Sequence, residues 1–465
     1  MTWTISVSGC TPSRNSAARS VLVALLAAIV AIAFADSSIV VLGLPQLYVD
    51  FETSITGVAW VVTAYNAAVA IAALALVLLV HRFRAAVVLG SGLVLFLAAT
   101  IACAVSQTLE FLIGARAVQG VGAALLLAGA LPVLAELTGS RARAASVWTL
   151  AGTFGAALGP ALGGVLTELF DWRAIFVTQA PVAALGLVAV IRSGSHAVAS
   201  EGWRPSLGRT VSANTCLGLV FGALVGALFL AVLLVIVVWQ YTPIGGALIV
   251  SVIPAATLAA RPLARRLPRF TAVWSGALLL ALGLVALAFL PSASVPIAMC
   301  ALALCGVGLG LCVPVLSNSA LDLDAGLTRS GTLTIGVRHL GLVLAIATIA
   351  PLLASDLPPA GDRAMLKATA VLLDAPIGIT DKVPIALDLR RAFDKAKDGE
   401  IPDLAEPFDS RGARTDETLA SARDDLVGAI RETITRAFRV DFLLAAGFAF
   451  LAVLVAVAFR RKIVT

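Results

Sequence analysis

The amino-acid sequence predicts an all-α polytopic membrane protein with twelve transmembrane helices in two six-helix bundles. First, 60% of the 465 residues are hydrophobic and only 13% are charged, whereas soluble domains carry about 25% charged residues. Second, apolar runs recur along the chain at the length of about 20 residues that one helical crossing of a bilayer needs. Third, a polar stretch divides these runs into two groups of six. This composition excludes an ordinary soluble enzyme and a disordered chain.

Residues 1–191 are predicted to form the first bundle. The opening run is too long for the core of a signal peptide and lacks a small-residue cleavage site, so we expect it to remain as the first helix. The six runs of this bundle are Val21–Leu44, Val58–Val80, Ala85–Val105, Leu109–Leu134, Ala145–Leu166 and Ala174–Ile191.

A cytoplasmic linker is predicted at residues 192–212, and the second bundle follows it. Residues 213–353 would hold helices 7 to 11, residues 354–439 an extracytoplasmic insertion, and residues 440–465 helix 12 with a cytoplasmic tail. The six runs of this bundle are Ala213–Trp239, Ile244–Leu263, Thr271–Leu290, Val295–Leu316, Gly331–Leu353 and Phe442–Phe459.

Lys and Arg concentrate in alternate loops, and the short loops between them hold almost none except Arg173. Cytoplasmic loops of membrane proteins carry an excess of Lys and Arg. We therefore expect both termini in the cytoplasm of a cell whose plasma or inner membrane holds the protein. The basic loops contain Arg14 and Arg19, Arg82 and Arg84, Arg141 and Arg143, Arg192, Arg204 and Arg209, Arg261, Arg265, Arg266 and Arg269, Arg329, and Arg460, Arg461 and Lys462.

The segment 354–439 holds 13 Lys or Arg and 16 Asp or Glu residues. Long segments cross membranes largely regardless of charge, so this one is expected outside. Prolines crowd its first part, and from Thr415 an apolar face recurs at helical spacing and leads toward helix 12. Two interpretations remain, a helical cap with a solvated face and a segment that gates substrate or binds a partner. The apolar face consists of Leu419, Leu426, Ile430, Ile434 and Phe438.

Ionisable residues within the membrane indicate a structural or functional role, because each costs at least about 2.5–3.5 kcal/mol at the bilayer centre. Asp36 lies about nine residues before Pro45, and Arg116 lies about seven residues into helix 4. At about 1.5 Å of rise per residue, both lie at a similar depth, roughly 10–14 Å below the outer surface. They could form an ion pair that only joins two helices, or a carboxylate that exchanges protons beside an arginine.

Arg338 and His339 are adjacent in helix 11, and adjacent residues face different ways on a helix. We expect Arg338 to face the interior and His339 to serve packing or an interface.

The six cysteines form no CxxC pair, and five of them lie in apolar stretches. We find no nucleophile motif, no metal-ligand cluster and no carboxylate pair inside a span, so neither a catalytic nor a metal site is predicted.

Glycines cluster in helix 5, in the run GAALGPALGG. Glycines four residues apart clear one helix face for close approach of another backbone, and a proline removes a helix hydrogen bond and bends the helix. Tight packing alone explains glycine spacing, but the whole run with its proline favours a bent crossing at the seam of two moving bundles. Its special residues are Gly155, Gly159, Pro160, Gly163 and Gly164.

These residues resemble the major facilitator superfamily in its drug:proton antiporter branch. GAALGPALGG matches the antiporter motif C, and RAVQGVGAA matches motif B with Arg116, Gln119, Gly120 and Gly122 at its motif positions. ADSSIVVLGLP, with Asp36, looks like the helix 1 motif. WVVTAY is similar to the opening of helix 2, DWRAIFVTQAP resembles the entry to helix 6 with Gln179 where Asn is usual, and RHLG resembles part of helix 11.

The resemblance implies the major facilitator fold, in which relative motion of the bundles alternates access to a central cavity. It implies proton-driven export of a lipophilic small molecule, with Asp36 carrying the proton and Arg116 holding the deprotonated carboxylate. It implies no cofactor, no nucleic acid and a monomer in the lipid bilayer. The candidate cavity residues are Tyr65, Asn66, Gln119, Phe154, Gln179 and Arg338.

One departure from the family lies between helices 2 and 3. There VLLVHRFRAA lacks the Gly, Asp and Gly of motif A and keeps only Arg82, so the usual charge relay that holds one conformation shut is not expected.

Two alternatives to multidrug-type efflux stay open. One is export of a lipid or cell-envelope metabolite, and the other is a non-transporting membrane scaffold or sensor. The sequence does not identify the substrate.

Overall fold

The computed structural model describes residues 14–195, 197, 208–291, 293–321, 323, 326–395, 404–411, 413 and 416–460. Parts of the predicted linker and tail, residues 196, 198–207 and 461–465, lie outside the described residues. In the described part, twelve helical segments are long and apolar enough to cross a membrane. The predicted all-α polytopic fold with two six-helix bundles is confirmed.

The first bundle makes its first crossing with two helices joined by a short 3-10 turn. This crossing ends at Asp50 rather than at Leu44, because Pro45 occupies the first turn of the second helix, where its missing N–H is not needed. Ser54 and Thr108 cap later helices with side-chain oxygens. The helices are α1 (Arg14–Ile39), α2 (Leu44–Asp50), α3 (Ile55–Leu79), α4 (Ala85–Ala104), α5 (Leu109–Thr138), α6 (Arg141–Leu169) and α7 (Arg173–Ser193).

The second bundle contains the remaining six crossings. Its first helix continues into a π-helical stretch at Leu233–Val238, and α9 and α10 together make one crossing. The helices are α8 (Arg209–Val232), α9 (Pro243–Val250), α10 (Val252–Arg266), α11 (Arg269–Ala288), α12 (Val295–Ala320), α13 (Leu327–Asp374) and α17 (Arg439–Ala458). Three further helices lie between the last two crossings, namely α14 (Ile379–Lys395), α15 (Glu406–Asp409) and α16 (Glu417–Ala437).

Helix α13 continues 21 residues past the predicted end of its span at Leu353, through Pro358 and Pro359 to Asp374. Both prolines are exposed, so water can satisfy the carbonyl groups that they leave without helix hydrogen bonds. The apolar pattern continues at steps of four and seven residues. Its buried members are Leu353, Ala360, Ala364, Ala368 and Leu372, each at most 3% exposed.

We use the term cap for the extension of α13 beyond Leu353 together with α14, α15 and α16. Helix α16 packs against α13, and all five residues of its predicted apolar face are buried. Trp239 Nε1, at the end of the first crossing of the second bundle, donates to Thr435 Oγ1 of α16 over 3.0 Å. The cap therefore shares one apolar core with the second bundle.

Each bundle is held together by helix pairs within it, such as α1 with α6 and α11 with α12. Between the bundles, α3 packs along α13 and α6 packs against α9. We call the end of the molecule where α1 begins and α17 ends the terminal end, and the opposite end the cap end. At the cap end, Ile244 N donates to Glu168 Oε2 over 2.6 Å across the seam.

Candidate functional site

Asp36 of α1 and Arg116 of α5 form an ion pair inside the first bundle. Arg116 Nη1 lies 2.5 Å from Asp36 Oδ2, and both side chains are fully buried. The second carboxylate oxygen, Oδ1, accepts a hydrogen bond from Gln179 Nε2 over 3.0 Å. Both oxygens of this carboxylate are therefore partnered, as an ionised carboxylate in a dry site requires.

A set of polar side chains completes the surroundings of Arg116. Its Nη1 also donates to Gln119 Oε1 over 2.6 Å, and its Nε donates to the carbonyl of Val61 over 3.1 Å. Its guanidinium carbon lies 4.3 Å from the ring centroid of Tyr65, which is a cation–π contact. Gln119 in turn donates from Nε2 to Thr100 Oγ1 over 2.9 Å. The guanidinium is thus held on several sides by partners from three helices.

A second polar chain begins beside Asp36 and crosses to the other bundle. Ser37 Oγ of α1 donates to Asn66 Oδ1 of α3 over 2.9 Å, and His339 Nδ1 of α13 lies 2.7 Å from the same oxygen. His339 is 1% exposed. The sequence interpretation of His339 as a packing or interface residue agrees with this position, where its ring joins the two bundles through one hydrogen bond.

A largely apolar cavity lies between the bundles and is lined by α1, α6, α8, α10, α12 and α13. Its empty volume is about 1120 Å³, including the part that opens to the surroundings. Ser37 and Ser38 line it, and the preceding residue of α1, Asp36, is fully buried and is not one of the lining residues. The lining residues are Phe34, Ser37, Ser38, Trp148, Thr149, Gly152, Thr153, Ala156, Ala157, Pro160, Leu217, Phe221, Leu224, Val225, Leu228, Ile253, Pro254, Thr257, Leu309, Val313, Ser317, Thr334, Ile335, Arg338 and Leu342.

Of the six candidate cavity residues, Arg338 lines this cavity. Tyr65, Asn66, Gln119 and Gln179 lie behind its surface, each at most 3% exposed, and belong to the polar networks around Asp36. Phe154 lies elsewhere, at the surface of the bundle with 43% exposure, and the preceding Thr153 lines the cavity instead. Adjacent helix residues face different directions, which accounts for this correction. A part in substrate contact remains a prediction for the four buried residues.

Three of the four special glycines of α6 mediate a close crossing with α1 inside the first bundle. A Cβ atom added at Gly155 would contact the carbonyl of Ala31, one at Gly159 would contact Ser38, and one at Gly163 would contact the carbonyl of Ile39. The predicted close approach is present, but at these positions it lies within one bundle rather than at the seam.

Gly164 and Pro160 are the members of the motif that face the second bundle or the cavity. A Cβ atom added at Gly164 would lie 2.6 Å from the carbonyl oxygen of Pro243 in α9. Pro160 stands inside α6 and lines the cavity. The motif therefore connects the α1–α6 crossing, the cavity surface and the seam at the cap end.

The terminal end has a contact that the sequence analysis missed. Arg329 Nη2 of α13 contacts His81 Nδ1 in the loop after α3, so the two bundles meet where motif A is degenerate. Further along α13, a Cβ atom added at Gly336 would lie 2.8 Å from Leu74 Cγ. The histidine beside Arg82 was the available sequence signal, but nothing in the sequence indicated its partner 248 residues away.

Asp441, near the start of α17, was also missed. It is fully buried, and neither carboxylate oxygen has a hydrogen-bond partner among the described residues. The last apolar run of the sequence begins at Phe442, so this carboxylate lies just outside the predicted span.

Comparison with known proteins gives one family. The family model described as the Major Facilitator Superfamily matches residues 26–355. Two solved structures share the fold. One is a bacterial homolog of the human lysosomal transporter Spinster, inward-facing and unoccupied, with a TM-score of 0.59, 17% identity and coverage of 97% of this chain and 99% of that one. The other is a D-xylose–proton symporter, with a TM-score of 0.58, 16% identity and coverage of 71% and 90%.

Curated relatives match a shorter stretch. The methylenomycin A resistance protein of Bacillus subtilis (strain 168) is 33% identical over 183 residues, which are 39% of each chain. The drug efflux pump JefA of Mycobacterium tuberculosis (strain H37Rv) is 32% identical over 33% of this chain and 30% of its own. The multidrug efflux pump LfrA of Mycolicibacterium smegmatis is 33% identical over 37% and 34%. The matched region thus spans 30–39% of the length of these relatives.

Proposed function

This chain belongs to the major facilitator superfamily, and on that premise we propose that it is a proton-coupled exporter of lipophilic small molecules that works by alternating access. The observation that carries the proposal is the apolar cavity that both bundles line, together with the fully buried carboxylate of Asp36, which precedes the lining residues Ser37 and Ser38 on α1. The names of the curated relatives, which are resistance proteins and efflux pumps, support the same substrate class.

Alternating access would proceed by rocking of one bundle against the other around this cavity. At the cap end the close contacts involve Gly164 and the start of α9, and at the terminal end they involve Gly336 and the Arg329–His81 contact. Opening one end while keeping the other closed would expose the cavity to one side of the membrane at a time.

Asp36 would bind and release the coupling proton. Its two carboxylate oxygens are held by Arg116 and Gln179 in a buried site. Protonation would remove the charge that Arg116 holds and would loosen the contact between α1 and α5. Because α1 also carries Phe34, Ser37 and Ser38 of the cavity surface, a change at Asp36 would reach the substrate site directly.

The orientation follows from the placement of Lys and Arg. We propose that the terminal end faces the cytoplasm and the cap lies outside. Reporter fusions after Arg209 and after Lys462 should read cytoplasmic, and one near Asp398 should read external. A cytoplasmic reading near Asp398 would contradict this orientation.

Transport in inside-out membrane vesicles tests the proposed activity. Respiration acidifies the lumen, which corresponds to the cell exterior, so an exporter should accumulate a lipophilic fluorescent probe there. The probes should share an aromatic body and include neutral, anionic and cationic members. We expect accumulation of at least one probe, and its loss when nigericin collapses the pH gradient. Uptake of no probe above that in vesicles lacking the protein would contradict the proposal. A non-transporting scaffold would give that result.

A further inference from the structure

The cavity contains one charged side chain among the described residues that line it, that of Arg338. The other polar lining groups are hydroxyls and the indole N–H of Trp148, and the rest of the surface is aliphatic or aromatic. The hydroxyl-bearing residues are Ser37, Ser38, Thr149, Thr153, Thr257, Ser317 and Thr334. The net charge presented to a bound molecule is therefore that of one guanidinium, which remains charged in proteins.

Arg338 has aromatic neighbours and no acidic partner in the described chain. Its guanidinium carbon lies 3.8 Å from the ring centroid of Phe221 on α8 and 4.4 Å from that of Phe34 on α1. Its buried Nε has no hydrogen-bond partner in the part of the chain that the structure describes. Arg116, the other membrane-embedded arginine discussed above, is by contrast paired with Asp36 at 2.5 Å. The buried carboxylate of Asp36 is thus already committed to another arginine.

An unpaired cation in a largely apolar cavity is costly, and two aromatic faces offset only part of that cost. A guanidinium presents several N–H donors in a planar fork that matches the oxygens of a carboxylate, sulfonate or phosphate. The Nε donor of Arg338 lacks a partner among the described residues, while the guanidinium carbon stacks on the two rings. This geometry suits a site in which the ligand itself supplies the anionic partner of Arg338.

The surface around Arg338 is suited to the apolar part of such a ligand. Trp148 of α6 meets Phe34 in an edge-to-face contact with ring centroids 5.1 Å apart, and both rings line the cavity. Leu217, Leu224 and Leu228 of α8 line the cavity as well. A molecule with an aromatic or aliphatic body and one anionic group would place the body on these residues and the anion on the guanidinium.

We propose that the preferred substrates are lipophilic anions and that Arg338 binds their acidic group. This inference rests on the proposed export function and specifies its substrate class. Cationic lipophiles would meet a like charge without an acidic group to offset it, so the same residue would exclude them. Because Arg338, Phe34 and Phe221 come from three helices of both bundles, the bound anion would contact both moving parts.

Two fluorescent probes that differ in one group test the proposal by binding. 8-Anilinonaphthalene-1-sulfonate carries a sulfonate on the same skeleton as neutral N-phenyl-1-naphthylamine, and both brighten in apolar sites. The purified full-length protein in a neutral detergent is titrated with each probe, and binding to empty micelles is subtracted. We expect the anionic probe to bind roughly tenfold or more tightly, as a charge-assisted contact allows.

Variants then assign the preference to the residue. Arg338→Met should lower the affinity for the sulfonate to about that of the neutral probe and leave the neutral probe little changed. Arg338→Lys should retain part of the preference, since it keeps the charge without the planar fork. Arg439→Met is the matched control, because Arg439 stacks on Phe289 at 4.2 Å outside the cavity. That control should preserve the preference.

Competition on the unmodified protein keeps the proposal testable if Arg338→Met does not fold. Tetraphenylborate and tetraphenylphosphonium have the same shape and opposite charge, and only the borate should displace the sulfonate probe. Equal binding of the two naphthyl probes, equal displacement by the two tetraphenyl ions, or an unchanged preference in folded Arg338→Met would overturn the inference. None of these measurements needs a pH gradient, so a failure of proton-driven transport in vesicles would leave them interpretable.

Discussion

Arg116 and Asp36 are 80 residues apart in sequence, and their charged groups meet at 2.5 Å with both side chains fully buried. Neither charge has an alternative partner of opposite sign in the described surroundings of the pair. Removing one member therefore leaves the other charge buried and uncompensated, and the cost differs with the member removed.

Arg116→Met is expected to destabilise the protein strongly. Breaking a buried pair by removing one partner costs about 3–5 kcal/mol, and the double variant Asp36→Asn with Arg116→Met should recover part of that loss. Thermal unfolding in detergent measures both. The control Arg391→Met removes a 72% exposed arginine near Asp388 and should change little, since exposed pairs contribute about 0–1 kcal/mol. A double variant no more stable than Arg116→Met would contradict the pairing argument.

Gly155→Ala is expected to disrupt the crossing of α1 and α6. The added Cβ would contact the carbonyl of Ala31 on the neighbouring backbone, which cannot move away without shifting a helix. Gly114→Ala is the matched control, because nothing lies within 4 Å of a Cβ there, and it should be neutral or stabilising by up to about 1 kcal/mol. The unfolding temperatures of the two variants are compared. Equal tolerance of both would show that the crossing is not tight.

His339→Leu should weaken the apposition of the bundles. The change removes the hydrogen bond of 2.7 Å to Asn66 and places an apolar side chain in the buried position. Distances between spin labels at the terminal end, at positions 143 and 266, should broaden or lengthen. Leu340→Ala, on the 40% exposed neighbour, should leave the distribution unchanged. A narrower distribution in His339→Leu would contradict a linking role for His339.

Asp441→Leu is expected to raise the unfolding temperature. The carboxylate is fully buried, and neither oxygen has a hydrogen-bond partner among the described residues. An unsatisfied buried polar group costs about 1–3 kcal/mol. Asp425→Leu, on an exposed face of α16, provides the comparison and should give no gain. A lower unfolding temperature for Asp441→Leu would mean that the carboxylate has a stabilising partner.

The fold and the Asp36–Arg116 pair were both predictable, because span length and helix rise depend on little else than backbone geometry. The rotation of each helix about its own axis was not predictable from the sequence. It decides that Thr153 lines the cavity and Phe154 does not, and that Gln119 and Gln179 bind the ion pair. That rotation is determined by packing against neighbours, which a single sequence does not display.

The length of α13 within the cap was mispredicted for a different reason. Pro358 and Pro359 favoured a break in the helix, yet Ala360, Ala364 and Ala368 continue the apolar face that begins within the membrane. This spacing was visible in the sequence. Exposed prolines cost a helix less than buried ones, because water replaces the lost hydrogen bonds, so the periodicity was the stronger signal.

The most direct test of the central proposal separates substrate movement from proton coupling in Asp36→Asn. The variant keeps the shape of the side chain and removes its charge. In proteoliposomes, uphill transport driven by a pH gradient should be lost, while exchange of labelled for unlabelled substrate at equal pH should persist. Asp36→Glu should retain part of the uphill transport. Unchanged pH-driven uphill transport by a well-folded Asp36→Asn protein would contradict the account, leaving Asp36 as a structural partner of Arg116.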